Sequence, residues 1–309
     1  MSDADLATLT LHDEDAQLEA TFVPGAGMLC CSLRHRGEQL LAQNSGVAVY
    51  AERGKTMGIP LLYPWANRLA GFDYAVAGRT VAVPHDTTRV SLENHGLPIH
   101  GLIGGRLAWE PTSAPGPGAQ ALAARLNWGD LRADLFEVFP FVHELHYGAR
   151  LAEGRLEVAV TVTACGEDTV PVAFGFHPYL ALPGVPREQW LIELPAMRRL
   201  ALDEQQIPTG PDRVLPGQTF ALATREFDDG FDAVASPARF SAAAGGRRIT
   251  VELLDGYPCA QVFAPPARQF ICFEPMTAPA NALRSGAGLR LLAPGESCSA
   301  TFAVSVEED

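Results

Sequence analysis

Basic charge is scarce in this chain: 23 Lys and Arg stand against 36 Asp and Glu, leaving a net charge of −13. Nucleic-acid binding demands a basic surface, so neither DNA nor RNA is an expected partner. An anionic membrane face is excluded on the same ground. Long apolar runs are also missing, since no stretch approaches the roughly 20 residues that span a bilayer. The opening "MSDADLATLT" has no basic n-region and no apolar h-region. A signal peptide is therefore not expected, and the expected location is cytoplasmic. Cysteine is sparse and scattered, at 30, 31, 165, 259, 272 and 298, with no CxxC pair. That spacing speaks against a structural zinc site and fits reduced, mostly buried thiols. Nucleophile elbow, phosphate-cradling glycine loop and dinucleotide fingerprint are all absent, so no cofactor and no metal are expected.

What the chain has instead is short alternation. In "GRLEVAVTVTA", Leu156, Val158, Val160 and Val162 share one face, and Glu157, Thr161 and Thr163 the other. That pattern predicts a half-buried antiparallel strand. "RRITVELLDGYPCAQVFA" repeats it around the turn signal Asp255-Gly256, and "LRLLAPGESCSATFAVSV" around Pro294-Gly295. "LTLHDEDAQLEATFV" reads as strand, acidic turn, strand. Helix is scarce: "RADLFEVFPFV" has room for one turn before Pro140 stops it. The Pro/Gly clusters at 111–119 and 208–217 read as loops, because strand patterns continue on both sides. The expected fold is all-β, with little helix: one large antiparallel β-sandwich domain over residues 1–309.

Four segments interrupt the alternation with polar residues that a plain sandwich does not require. "MGIPLLYPWANRLAG" (57–71) sets Asn67 and Arg68 on a loop stiffened by proline and glycine. A guanidinium beside an amide reads hydroxyls or carboxylates, although alone it is as well explained as a surface turn. "ENHGLPIHGL" (93–102) carries His95 and His100 without HxH or HExxH spacing, so a metal reading has little support. In "FGFHPYL" (174–180), alternation opposes Phe174 and Phe176 to Gly175, His177 and Tyr179. His177 thus shares its face with the composition of a cleft floor. In "QFICFEPMTAPANAL" (269–283), Glu274 ends an apolar strand beside Phe270 and Cys272, held by Pro275. A carboxylate there is costly to bury unless paired or used, and burial raises its pKa toward that of a working base. A near-neutral imidazole, a carboxylate and hydroxyl-reading Arg and Asn make a general acid/base site for a polyhydroxylated ligand.

Those segments, with "QVF" at 261–263, resemble in their order the aldose 1-epimerases (galactose mutarotases), over roughly residues 8–306. The resemblance implies a β-supersandwich of the galactose mutarotase type, a sugar as partner, and interconversion of the anomers of a free aldose. It implies Glu274 as the base at the C1 hydroxyl and His177 as the acid at the ring oxygen. Arg68, Asn67, His100 and Gln261 would hold sugar hydroxyls. So would an aspartate of "FDDGFDAV", matched best by Asp228, with Asp229 and Asp232 close by. Two departures stand out: Leu180-Ala181 replace the family's Phe-Asn, and "LIGGR" leaves the role of Arg106 open. Alternatives are a non-catalytic sugar-binding or sensing protein on the same fold, and a hexose-6-phosphate epimerase. As an assembly, a monomer or homodimer is expected.

Overall fold

The computed structural model describes residues 6–113, 116 and 118–308, and strands dominate it. Helix is confined to Val47–Arg53, Ala133–Phe136, Ala282–Ser285 and a few 3-10 turns. Ala133–Phe136 is the single turn expected ahead of Pro140. Arg155–Ala164 is a strand whose Leu156, Val158, Val160 and Val162 are fully buried. It pairs antiparallel with His143–Ala152 and Ser297–Glu308, because one apolar face needs a core and the other tolerates water.

Two large antiparallel sheets result. The nine-stranded sheet centres on Arg155–Ala164, Ser297–Glu308 and Arg247–Asp255. The eight-stranded sheet centres on Phe227–Asp232, Cys259–Ala264 and Ile271–Met276. They meet through aromatic contacts, with Phe176 against Phe302 at 4.8 Å and Phe240 against Phe273 at 5.6 Å between ring centroids. A four-stranded N-terminal sheet, opened by the hairpin Leu9–Asp13 with Leu18–Val23, packs on the first through Phe22 and Tyr147. The expected all-β sandwich with little helix is the architecture found.

Three local expectations change. The backbone bends at Gly256, but Arg247–Asp255 and Cys259–Ala264 belong to different sheets. Likewise Arg290–Leu292 pairs with Val170–Val172 and not with Ser297–Glu308. A turn signal reports a local reversal, whereas the partner is set by which sheet buries the apolar face. The 208–217 stretch, expected as a loop, contains the strand Pro208–Leu215. It lies at the rim of the eight-stranded sheet with register shifts against Met197–Leu202, where proline costs no ladder bond. The 111–119 cluster falls partly outside the described residues; Pro111 pairs with Ala124 and the rest of its described part is irregular.

Strand period then positions the site. In Cys259–Ala264, Ala260, Val262 and Ala264 enter the main core while Gln261 and Phe263 face away from it. In Ile271–Met276, Ile271 and Phe273 enter the core and Glu274 faces away. Phe231 of Phe227–Asp232 does the same opposite Asp228 and Gly230. The outer face of this sheet therefore carries Asp228, Gln261 and Glu274 on three adjacent strands.

Candidate active site

Glu274 sits inside its strand rather than at its end, 2% exposed and directly across from Gln261. This corrects the strand-end reading: Pro275, opposite Ala260, does not terminate the strand. Gly175–Phe176 and Tyr179–Leu180 both pair with Ile271–Met276 in one unbroken register, Gly175 opposite Met276 and Tyr179 opposite Cys272, which sets His177 across from Glu274. That pairing brings His177 Nε2 to 3.3 Å from Glu274 Oε1. Gly175 is required at the crossing, since a Cβ there would stand 2.6 Å from the Pro275 carbonyl oxygen.

The 57–71 segment closes over this face. Tyr63, Trp65 and Arg68 make isolated bridges to Gly101, Ala173 and Ile99 respectively. Asn67 and His100 both take left-handed backbone conformations, at φ 58° and 63°. They are locked by reciprocal bonds, His100 N to Asn67 O at 2.9 Å and Asn67 N to His100 Nδ1 at 3.3 Å. Because Nδ1 accepts, the proton of the neutral His100 ring lies on Nε2. Burial, and then the nearby Arg68 charge, pull the His100 pKa down to about 3. Asn281 ties the far motif to the same loop, accepting from Ala70 N at 2.9 Å through Oδ1.

Arg68 is held on two sides. Its Nη2 lies 3.1 Å from Asp228 Oδ2 and its Nε 3.5 Å from Glu93 Oε2. Gln261 Nε2 donates to the other oxygen of Asp228 at 2.7 Å. Asp228 is thus the aspartate that meets the site, whereas Asp229 and Asp232 pair with Arg199 and Arg198. The result is a cavity of about 150 Å³ lined by Asn67, Arg68, His100, His177, Asp228 and Glu274, with Tyr179, Phe263 and Ile99. Gln261 alone of the expected contacts does not line it and reaches it through Asp228. His95 is exposed and away from the cavity, and Arg106 instead donates to the carbonyls of Thr87, Thr88 and Ile103. Among the described residues there is no group of His, Cys, Asp and Glu placed to hold a metal ion.

Electrostatics single out one pair. Burial, then repulsion from Asp228, raise the Glu274 pKa well above the carboxylate range, and Arg68 only partly offsets this. Burial, then His100, push the His177 pKa well below the imidazole range. Both groups therefore favour their neutral forms in the empty cavity. Glu274 Oε2 and His177 Nδ1 are buried without a hydrogen-bond partner, a state that ordinarily costs free energy. Tyr179 stacks flat on His177 at 4.3 Å, and its Oη lies 3.3 Å from His177 Nε2 and 2.5 Å from Thr56 Oγ1. Glu93, Tyr179 and Thr56 are site residues that sequence reasoning missed. Tyr179 and Glu93 lay inside the quoted segments, and strand parity already set Tyr179 beside His177.

Comparison with known proteins identifies the family and the fold. Residues 8–305 match the family model described as Aldose 1-epimerase. The uncharacterized protein YihR of Escherichia coli is 25% identical over 243 residues, 76% of this chain and 75% of its own. A galactose mutarotase-like protein from Clostridium acetobutylicum superposes with a TM-score of 0.82 at 15% identity, covering 100% of this chain and 97% of that one. The Slr1438 protein of Synechocystis sp. PCC 6803 gives 0.77 at 24% identity, covering 98% and 96%. Galactose 1-epimerase from Lactobacillus acidophilus gives 0.73 at 17%, covering 98% and 99%. At these identities the likeness to solved structures shows the fold, which is of the galactose mutarotase type.

Proposed function

Since this chain belongs to the aldose 1-epimerase family, we propose that it interconverts the α and β anomers of a free aldose by cofactor-free acid/base ring opening. One observation carries the reading. His177 and Glu274 touch at 3.3 Å at the buried end of a polar cavity, each with an unpartnered atom. A sugar's anomeric hydroxyl and ring oxygen are a donor and an acceptor bonded to the same carbon, which is what two such groups can satisfy together.

The chemistry follows from the proton inventory. The active pair holds one proton, and the productive arrangement places it on His177 with Glu274 ionised. Glu274 takes the proton from the C1 hydroxyl while His177 gives its own to the ring oxygen. The C1–ring-oxygen bond breaks, its electrons leave with the oxygen, and C1 becomes an aldehyde carbonyl. Rotation about C1–C2 presents the other carbonyl face, and the reverse transfers close the ring and restore the pair. Asn67, Arg68 and the Nε2–H of His100 supply donors for the remaining hydroxyls, and Asp228 holds Arg68 in place. Gln261 acts by orienting Asp228.

The test is anomer exchange on freshly dissolved α-glucose or α-galactose, by polarimetry and by saturation-transfer NMR, with and without EDTA. His177→Asn is expected to lose about 10²–10⁴-fold in rate while remaining folded. Near wild-type exchange in that variant would make His177 a packing residue and remove the proposal. A protein that binds aldoses but never accelerates exchange would instead be a sugar sensor on this fold.

A further inference from the structure

A guanidinium reads a ligand well only when its donors are held in place, and three acceptors hold that of Arg68. Asn67 Oδ1 accepts from Nη1 at 3.2 Å, Asp228 Oδ2 accepts from Nη2 at 3.1 Å, and Glu93 Oε2 pairs with Nε at 3.5 Å. The group carries one N–H on Nε and two on each terminal nitrogen. One donor is therefore left on each terminal nitrogen, a fork that two neighbouring sugar hydroxyls can meet. Asn67 and Asp228 line the cavity of the Glu274–His177 pair and face the ligand themselves. Glu93 does not line that cavity and holds the arginine from outside it.

Glu93 is in turn fixed by its own loop. The short strands Ser91–Leu92 and Pro98–Ile99 pair antiparallel. The turn between them is closed by Gly96 N to Glu93 O at 2.9 Å and Glu93 N to Leu97 O at 3.0 Å. Glu93 Oε1 accepts from His95 N at 2.8 Å and from Leu97 N at 3.1 Å. One carboxylate oxygen thus locks the turn while the other faces Arg68. The same hairpin runs directly into His100, so the carboxylate ties the arginine head group to the loop that delivers the histidine. The two side chains are only 12% and 9% exposed, which shelters the pair from the screening that makes surface ion pairs nearly worthless.

We propose that Glu93 is a positioning residue: by holding Nε it orders the two free N–H donors of Arg68 before the sugar arrives. The inference rests on the sugar-binding role given to Arg68 above. Without Glu93 the guanidinium keeps partners on its terminal nitrogens alone, and the ligand must order it on binding. Ordering one long side chain costs about two- to tenfold in affinity.

The experiment uses Glu93→Gln and Glu93→Ala, each alone and combined with Arg68→Ala, with glucose and galactose as probes. Affinity is read by ligand-detected NMR titration, exchange by saturation-transfer NMR and stability by urea unfolding. In Glu93→Gln the amide oxygen stays with the two backbone donors of the turn, and its NH₂ group faces Arg68 Nε, donor against donor. The turn survives and the third anchor of the arginine is lost. Sugar affinity is expected to fall about two- to tenfold, seen as a matching rise in KM with kcat nearly unchanged. Glu93→Ala also gives up the turn bonds and should unfold at lower urea than Glu93→Gln. The combination with Arg68→Ala decides the role. With no guanidinium left to hold, Glu93→Gln should weaken sugar no further. Equal weakening in both backgrounds would mean that Glu93 acts through the turn or on the ligand itself, and overturns the positioning role. Wild-type affinity and KM in Glu93→Gln overturn it as well. A wild type that binds aldoses without exchanging them removes the anomerase reading, while the affinity comparison still decides Glu93. If neither sugar binds, both fall.

Discussion

At the scale of single residues, the decisive feature is a carboxyl and an imidazole that burial drives in opposite directions. Glu274 is raised and His177 lowered, so the pair keeps one shared proton over a wide pH range. The sign follows directly: acid inactivates by adding a second proton, first to His177, below the ordinary imidazole value near 6.5. Alkali inactivates by removing the remaining proton, above the ordinary carboxylate value near 4.3. Catalysed anomer exchange, corrected for the spontaneous reaction, is thus expected to show an acid limb lying below about 6.5 and an alkaline limb lying above about 4.3. An acid limb at or above about 6.5 would contradict the burial argument. Glu274→Gln keeps shape and hydrogen-bonding reach but accepts no proton. It should bind sugar by calorimetry about as well as wild type and lose at least roughly 10²-fold in exchange rate. Arg68 makes ground-state contacts as well, and its two acidic partners depend on it. Arg68→Ala should raise KM on the order of ten- to a hundredfold, with a smaller fall in kcat. A steep fall in kcat at constant KM would assign Arg68 to the transition state instead.

At the scale of elements, the site depends on close backbone crossings that only glycine permits. Gly101 has φ +64°, and a Cβ on it would lie 2.4 Å from the Tyr63 carbonyl oxygen. The Tyr63–Gly101 bridge fixes the loop that carries Asn67 and Arg68 against the one that carries His100. Gly101→Ala is expected to cost about 1–3 kcal/mol in chemical denaturation and to raise KM, because the two loops separate. Unchanged stability and kinetics would show that the loops are positioned by other contacts. The unbroken register on either side of His177-Pro178 is a second device, since it holds His177 directly across from Glu274.

At the scale of the whole molecule, the sandwich is a rigid back wall for the catalytic sheet. Phe302 of the nine-stranded sheet meets Phe176, one residue before His177, and also Tyr257 at 6.2 Å. Phe302→Ala leaves a cavity between the sheets and should cost about 3–5 kcal/mol in urea unfolding. It should also lower exchange rates at temperatures where the protein stays folded, because the segment bearing His177 loses its support. A variant as stable as wild type would mean the sheets collapse onto the void. No helix among the described residues is long and apolar enough to cross a membrane.

Alternation alone was sufficient for the fold class, because a face of Leu156, Val158, Val160 and Val162 has nowhere to go except a sheet-on-sheet core. The polar interruptions of that alternation likewise marked five of the residues that line the cavity, Asn67, Arg68, His100, His177 and Glu274. A buried Glu, His or Arg violates the local pattern wherever it stands, whereas Asp228 came only from the family resemblance. Pairing was another matter. Whether Asp255-Gly256 closes a hairpin, or whether 208–217 joins a sheet edge, depends on partners far away in the chain, and no local signal carries that information. The choice of Asp228 over Asp229 and Asp232 also waited for the tertiary structure, because Arg68 takes the first while Arg199 and Arg198 of the strand Met197–Leu202 take the other two. The protonation of the pair was open for the same reason. Desolvation is a property of everything packed around Glu274 and His177, and the sequence lists neighbours along the chain while the pKa responds to neighbours in space.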